Sequence, residues 1–295
     1  MGIAGLNYQL VQDVAKELYI RALKILPPDV KEALRNAYAR ETKPIARTIL
    51  ETILRSIEIS DTQDMLVCQD TGLPIYIVKI GGRIAVDGSR LQAALAEGAK
   101  RATLEHPFRG SSLHPLTREN PQTSVGPGLP VVYWDFDPQA DCLDILMIPT
   151  GSGSENVSAI RMFTPAEGLA AVKKFIIDIV VGAGGNPCPP GIIGIGIGGT
   201  FDLVGVLAKK AIARPVGTRN TDPLFAELEE QLEEAINSTG GGPMGLGGDV
   251  STLAVHIEWA YTHITQNPVA VNTQCWAARR ARARIWADGR VEYGF

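Results

Sequence analysis

Long hydrophobic runs and an excess of charge of one sign are both missing from this sequence of 295 residues. The most apolar stretches, residues 174–185 and 189–199, are interrupted by Asp178 or by Gly and Pro. Neither reaches the roughly 20 residues that a membrane-spanning helix needs. The 28 basic and 32 acidic residues leave a formal net charge of −4, which gives no broad positive field for nucleic acid. We therefore expect a soluble protein that binds neither membranes nor nucleic acid.

Cysteine is scarce as well, with four residues, at positions 68, 142, 188 and 275. They are too few and too scattered for the disulfide framework of a small secreted protein. The first residues also lack the basic segment, apolar segment and small-residue cleavage site of a secretion signal. We expect a cytoplasmic protein in which each thiol is either a core residue or a ligand.

The order of residue patterns predicts a mixed α/β fold in a single domain over residues 1–295. Apolar residues recur at helical spacing from residue 8 to about residue 60, which predicts a helical opening over residues 1–60. From residue 61 to the end, short β-branched runs alternate with helical patterns and turn residues, which predicts a mixed sheet. A long polar segment, residues 104–128, separates two of these runs, and loops of this length are usually functional or disordered.

Later segments give clear signals for individual elements. Pro165 opens a helical pattern that ends at glycines, and a helix follows the buried strand predicted within residues 188–199. Residues 223–242 read as an acidic amphipathic helix with a glycine stop. The C-terminal residues alternate at a period of two around Asp288 and Gly289, which predicts a terminal hairpin.

Gly194, Gly196 and Gly199 have the spacing of a dinucleotide-binding fingerprint between a predicted strand and a predicted helix. No acidic residue follows about 20 positions later, where the ribose of a dinucleotide would need one. Close packing of the helix on the strand explains the same glycines, and we favour it. A nucleotide-dependent oxidoreductase stays a competing hypothesis.

The cysteines fall into two kinds of surroundings. Cys142 lies in an alternating strand pattern without polar ligand partners, and we assign it to the core. Cys68, Cys188 and Cys275 each lie at a junction where the chain turns. Their separations of 120 and 87 residues lack the paired spacing of a zinc module. Thiolates on separate turns can nevertheless hold one iron–sulfur cluster, and three of them would leave one of four irons without a protein ligand.

The chain resembles the α-subunit, or N-terminal domain, of the iron–sulfur hydro-lyases that comprise class I fumarases and L-tartrate dehydratases. Four segments carry the resemblance in the same order: "CQDTGLPIYIVKIGG", "GSGSEN", "NPCPPGIIGIGIGG" and "HITQNPVAVNTQCWAARRA". The resemblance covers almost the whole chain. It implies a [4Fe–4S] cluster that is held by three cysteines and whose open iron binds the hydroxy-acid substrate.

The resemblance also implies a set of site residues: Cys68, Cys188 and Cys275 as cluster ligands, Gln69, Arg109 and Gly153 as substrate-binding residues, and Asp70 and His263 as catalytic residues. The residue types suit these roles. A guanidinium binds a carboxylate through two hydrogen bonds, a glutamine amide adds a directional donor, and glycine exposes backbone N–H groups. Asp70 and His263 are both able to take part in proton transfer, and the division of roles between them stays open.

Several of these polar residues also have ordinary structural interpretations. An aspartate before Thr-Gly commonly accepts backbone hydrogen bonds in a turn, which applies to Asp70. His263 is also consistent with a surface loop, and His106 and His114 share the long polar segment and are assigned to the surface. A terminal arginine run alternates with alanine, which predicts a solvated or subunit-contacting strand face formed by Arg280, Arg282 and Arg284.

Single-chain members of the resembled family add a C-terminal domain that completes the substrate site. Since this chain ends soon after its third cysteine motif, the resemblance implies a separate β-subunit, a hetero-oligomer and little turnover by this chain alone. The segment "GSGSEN" looks more like the fumarase branch, so the main prediction is fumarate hydratase, which interconverts fumarate and L-malate. L-tartrate dehydratase, or another hydro-lyase of small 2-hydroxy dicarboxylates, is the alternative. A non-catalytic iron–sulfur module is a more distant one.

Overall fold

The computed structural model describes residues 5–295 and has the mixed α/β fold that the sequence predicts. The chain divides into two compact units. The first contains the residues up to Pro27, Ser60–Gly151 and Arg279–Phe295, and the second contains Pro28–Ile59 and Ser152–Ala278. The single domain over residues 1–295 stays a prediction. Residues 1–4 of the predicted helical opening lie outside the described residues.

The described residues form eight α-helices, nine strands and two short 3₁₀ helices, Pro165–Glu167 and Pro243–Gly245. The helices are α1 (Tyr8–Lys24), α2 (Pro28–Arg40), α3 (Pro44–Gln63), α4 (Gly88–Glu105), α5 (Ser152–Glu155), α6 (Gly168–Ala183), α7 (Phe201–Ala211) and α8 (Pro223–Ser238). The strands are β1 (Leu73–Gly81), β2 (Val131–Asp137), β3 (Cys142–Thr150), β4 (Ala159–Phe163), β5 (Gly191–Gly198), β6 (Thr252–Ala260), β7 (Asn267–Gln274), β8 (Ala281–Trp286) and β9 (Val291–Gly294). The helical opening predicted from the sequence is thus present as α1, α2 and α3.

The first unit packs α1 and α4 against a five-stranded sheet in the order β2-β1-β3-β8-β9. β1 and β2 are parallel, and the other neighbouring strands are antiparallel. Asn7 and Asp87 cap α1 and α4 by accepting hydrogen bonds from backbone N–H groups of the first turn. α4 was not among the elements predicted from the sequence, although its buried residues, which include Leu91, Ala94, Leu95 and Gly98, recur at helical spacing.

The second unit contains a four-stranded sheet in the order β4-β7-β5-β6. Along β5, Ile193 and Ile195 join the core that includes α6 and α8, whereas the alternate residues Gly194 and Gly196 lie against α7. Because successive residues of a strand point to opposite faces, helices cover this sheet on both sides. β5 is accordingly buried along almost its whole length.

The glycines of the fingerprint-like segment serve helix packing, as we favoured from the sequence. A Cβ atom on Gly196 would lie 2.1 Å from the carbonyl oxygen of Val204, and one on Gly194 would lie 2.5 Å from that of Ala208. Both carbonyls belong to α7. The missing side chains therefore allow this helix to lie directly on β5.

The C-terminal segment confirms the predicted hairpin, since β8 and β9 pair around a turn that contains Gly289 in the left-handed region. The arginines along β8 are not simply solvated. Arg282 and Arg284 both donate to the carboxylate of Asp144 on the adjacent strand β3. Among residues 5–295, none of the helices has the length and hydropathy that crossing a bilayer requires.

Replacing Gly196 with alanine should destabilise the protein by about 1–3 kcal/mol, the usual cost of overpacking a filled interior. The matched control is Gly205→Ala on α7, where a new Cβ would meet the Ile160 side chain at an ordinary 3.5 Å. This control should be neutral or stabilising by roughly 0.5–1 kcal/mol, because alanine is the better helix former. Urea unfolding of both variants measures the difference, and equal stabilities would contradict the packing explanation.

Candidate functional site

Three predicted site residues come together in the first unit, at the turn that precedes β1. The Arg109 guanidinium donates through Nη2 to the side-chain oxygen of Gln69 at 3.0 Å, and both residues are exposed. Asp70 follows Gln69 and accepts the backbone N–H of Gly72 through Oδ1 at 3.0 Å. Asp70 therefore has the turn geometry of its ordinary interpretation, and it also lies beside two side chains that are able to bind a carboxylate.

Buried side chains fix the backbone of this turn, Cys68–Gly72, from below. The Tyr19 hydroxyl donates to the carbonyl oxygen of Gly72 at 3.1 Å, and the Arg279 guanidinium donates through Nη1 to that of Asp70 at 2.7 Å. The Thr71 hydroxyl donates to the carbonyl oxygen of Arg109 at 2.8 Å, which ties the long polar segment to the turn. The main chain at Arg109 is thus held against the turn, while the Arg109 side chain stays exposed.

Cys188 and Cys275 come together in the second unit. β5 and β7 are antiparallel neighbours with Ile192 opposite Gln274, so the residues just before β5 lie beside those just after β7. The backbone N–H of Trp276 donates to the carbonyl oxygen of Cys188 at 3.0 Å. Cys188 is exposed and has a left-handed backbone with φ of 53°, and Cys275 is half-buried.

Gly153 lies against the loop that carries Cys188. A Cβ atom on Gly153 would lie 2.5 Å from the carbonyl oxygen of Asn186, so a larger residue would push this loop away. The next residue, Ser154, accepts a hydrogen bond from the Thr273 hydroxyl of β7 through its carbonyl oxygen at 3.2 Å. Three of the four segments that carry the resemblance therefore meet at one end of the second sheet. The structure gives Gly153 a packing role, and its contact with substrate stays a prediction.

His263 lies at the opposite end of this sheet. It follows β6 in the exposed turn that leads into β7, where its Nδ1 accepts the backbone N–H of Thr265 at 3.3 Å. The eight residues of β5 separate this turn from the cysteine end, which corresponds to about 25 Å. The structure thus does not bring His263 together with Cys188 and Cys275 of the same chain, and the catalytic role of His263 stays a prediction.

The donor chemistry of the cysteines suits an iron–sulfur cluster. Cys188 and Cys275 lie on loops at strand ends, and Cys68 is half-buried at the start of the Cys68–Gly72 turn. Cys142 is buried in β3, and this burial raises the pKa of its thiol, which disfavours the thiolate that binds iron. Cys142 is thus the core residue predicted from the sequence. Within either unit, residues 5–295 contain no group of three Cys, His, Asp or Glu side chains placed to hold a metal ion.

A buried polar network that the sequence analysis missed lies behind the cysteine end of the second sheet. The Lys209 ammonium of α7 contacts the carboxylate of Glu155, and burial lowers the pKa of this lysine. Asn272 donates to the hydroxyl of Ser158 at 2.6 Å and also reaches Glu155. Because lysine on an amphipathic helix usually reaches solvent, the pattern around Lys209 carries no signal of this contact.

Comparison with known proteins gives a consistent result over most of the chain. The family model described as "Fumarate hydratase (Fumerase)" matches residues 12–284. A protein of Methanocaldococcus jannaschii named "Putative L(+)-tartrate dehydratase subunit alpha" is 44% identical over 283 residues, which cover 95% of this chain and 99% of the relative.

Two bacterial proteins are also similar. The "L(+)-tartrate dehydratase subunit alpha" of Escherichia coli (strain K12) is 35% identical over 263 residues, which cover 89% of this chain and 86% of the relative. The protein of the same name from Shigella sonnei (strain Ss046) matches with the same identity and coverage. The family match and these relatives together show that this chain belongs to the fumarate hydratase (fumerase) family of hydro-lyases.

Proposed function

We propose that this chain is the α-subunit of a two-subunit, iron–sulfur-dependent hydro-lyase whose preferred substrate is L(+)-tartrate. The observation that carries the proposal is the 44% identity to a relative named as a tartrate dehydratase α-subunit, over 95% of this chain. The names of the relatives favour tartrate, which the sequence analysis gave as the alternative, over its main prediction of fumarate.

Substrate recognition is assigned to Arg109 and Gln69. The guanidinium and the amide lie 3.0 Å apart and both are exposed, so one carboxylate is able to accept hydrogen bonds from both side chains. An electron carrier would gain nothing from such a receptor. The pair therefore argues against the non-catalytic iron–sulfur module.

Cluster binding is assigned to Cys68, Cys188 and Cys275. Their donor chemistry fits, since two of them are neighbours at one sheet end and none shares the buried strand position of Cys142. Bound through three thiolates, a [4Fe–4S] cluster supplies an open iron as a Lewis acid for the substrate hydroxyl. Asp70, two residues after Cys68, is assigned to holding or moving a proton at the substrate, with its position set by the N–H of Gly72.

A separate β-subunit is proposed as the partner of this chain. The relatives named above are called "subunit alpha" and align with the chain over 86–99% of their own length. The groups assigned here supply one carboxylate receptor and one proton-transfer residue, whereas a diacid has a second carboxylate to bind. The remaining recognition groups are expected on the partner.

Fumarate hydratase is the second candidate. The description of the matching family model and the "GSGSEN" segment both favour it. The two compounds that these enzymes dehydrate, L(+)-tartrate and L-malate, differ by one hydroxyl group. A site that hydrogen-bonds this group discriminates strongly against an analogue without it.

Turnover by the chain co-expressed with its partner subunit and reconstituted anaerobically tests the substrate. We expect kcat/KM for dehydration of L(+)-tartrate to exceed that for L-malate by at least about 100-fold, as for other sites that recognise a hydroxyl group. Oxaloacetate formation and the ultraviolet absorption of fumarate follow the two reactions. A higher kcat/KM for malate would establish the second candidate, and turnover of neither diacid would contradict the hydro-lyase proposal.

Single substitutions test the cluster ligands. Cys68→Ala, Cys188→Ala and Cys275→Ala should each abolish the broad visible absorption of the reconstituted protein and most of its bound iron, because each removes one thiolate ligand. Cys142→Ala is the matched control and should retain both. Retention of the cluster by any of the first three variants, or its loss from the control, would overturn the ligand assignment.

A further inference from the structure

Arg279 opens the arginine run, and its side chain is 2% exposed. Arg280 was expected on a solvated or subunit-contacting face with Arg282 and Arg284, but it is 4% exposed and does not lie on such a face. Arg282 and Arg284 are more than a third exposed and pair with Asp144. The Arg279 guanidinium instead donates through Nη1 to the carbonyl oxygen of Asp70 at 2.7 Å. A buried arginine thus holds the main chain of the Cys68–Gly72 turn.

Hydrogen bonds do not fully satisfy the Arg279 guanidinium. Its buried Nε has no hydrogen-bond partner among residues 5–295. Arginine stays charged in proteins, and a buried charge whose hydrogen bonding is incomplete is costly. A neutral donor would form a single hydrogen bond to a carbonyl oxygen with a smaller desolvation cost than a guanidinium.

The hydroxyl of Tyr19 locates this charge beside the turn. Burial is the main cause that raises the pKa of Tyr19 to about 12, while the guanidinium of Arg279 lowers it and the carboxylate of Asp70 raises it. The same hydroxyl donates to the carbonyl oxygen of Gly72. The guanidinium of Arg279, the carboxylate of Asp70 and the backbone of the turn therefore lie around one point.

We propose that Arg279 is a positioning residue for dicarboxylate binding. It holds Asp70 and its neighbour Gln69 in place through the main chain, and its buried positive charge adds to that of Arg109 in favouring an anion at the turn. This inference rests on the proposed function, since it takes the substrate to bind at Gln69 and Arg109.

The test compares Arg279→Met and Arg279→Lys with the control Arg284→Met, each reconstituted anaerobically with the partner subunit. Two quantities are measured: kcat and KM for L(+)-tartrate, and the rise in the thermal unfolding midpoint that L(+)-tartrate causes. We expect Arg279→Met to raise KM by about 10–100-fold, because the turn that carries Gln69 loses its main-chain support and the site loses a positive charge. The value of kcat should fall as well, because the same main chain holds Asp70, and the rise in KM is the part that reports substrate binding.

The second readout does not depend on turnover. Arg279→Met should remove most of the tartrate-induced rise in the midpoint, because that rise reports binding to the native state. Arg279→Lys, which keeps the charge but loses the planar guanidinium, should fall between Arg279→Met and the wild type in both quantities. Arg284→Met should match the wild type.

A purely structural role would lower the midpoint without ligand and reduce kcat while KM and the tartrate-induced rise stay unchanged, and this result would overturn the inference. If Arg279→Met does not fold, an unchanged KM in Arg279→Lys would overturn it equally. In a third outcome, the wild-type protein shows no turnover, but tartrate raises its unfolding midpoint and Arg279→Met removes that rise. This outcome would contradict the proposed function and support the role of Arg279. Wild-type turnover with an unchanged KM in both variants would contradict only the role of Arg279.

Discussion

The antiparallel pairing of β7 with β5 is the constraint on which the cysteine end of the second sheet depends. The pairing places the residue after β7, Cys275, beside the loop before β5, which carries Cys188. Two cysteines that are 87 residues apart in the sequence thereby share one end of a sheet. The glycines of β5 are part of the same constraint, because they let α7 lie on the strand and bury it. The positions of Cys188 and Cys275 thus depend both on the pairing of β5 with β7 and on the packing of α7 on β5.

In the first unit, hydrogen bonds to the main chain hold the turn that carries the polar side chains. The Cys68–Gly72 turn exposes Gln69 while its main chain is held from below by Tyr19 and Arg279. Exposed recognition groups on a fixed backbone lose little conformational freedom when a ligand binds. Arg109 belongs to the same arrangement, since the Thr71 hydroxyl ties its carbonyl oxygen to the turn. The unit therefore supplies polar groups that need little rearrangement before they bind an anion.

Local patterns of the sequence were enough for part of this account. The separation of Cys142 from the other cysteines, the packing role of the β5 glycines and the terminal hairpin follow from strand periodicity and turn chemistry, and the structure agrees with each. The helix α4 was not predicted, although its buried residues recur at helical spacing. The burial of Arg279 was not predicted either, because a charge is expected at the surface unless the tertiary contacts that bury it are known.

The resemblance was informative about the family and less so about position. Membership in the fumarate hydratase family is established, whereas the catalytic role of His263 stays a prediction, since β5 separates this residue from Cys188 and Cys275 of the same chain. The directions of the strands decide at which end of the sheet His263 lies, and the sequence around His263 does not reveal those directions. Substrate preference is a similar case, since one short glycine-containing segment favoured fumarate and the names of relatives over most of the chain favour tartrate.

The most direct test of the central proposal, that this chain belongs to an iron–sulfur-dependent hydro-lyase of hydroxy diacids, is a spectroscopic titration of the wild-type protein. The visible spectrum of the protein, reconstituted anaerobically with iron and sulfide in the presence of its partner subunit, is recorded while L(+)-tartrate is added. The account predicts a cluster spectrum that changes in a saturable manner with tartrate and does not change with a neutral diol of similar size. A cluster spectrum indifferent to tartrate, L-malate and fumarate, or the absence of any cluster, would contradict it.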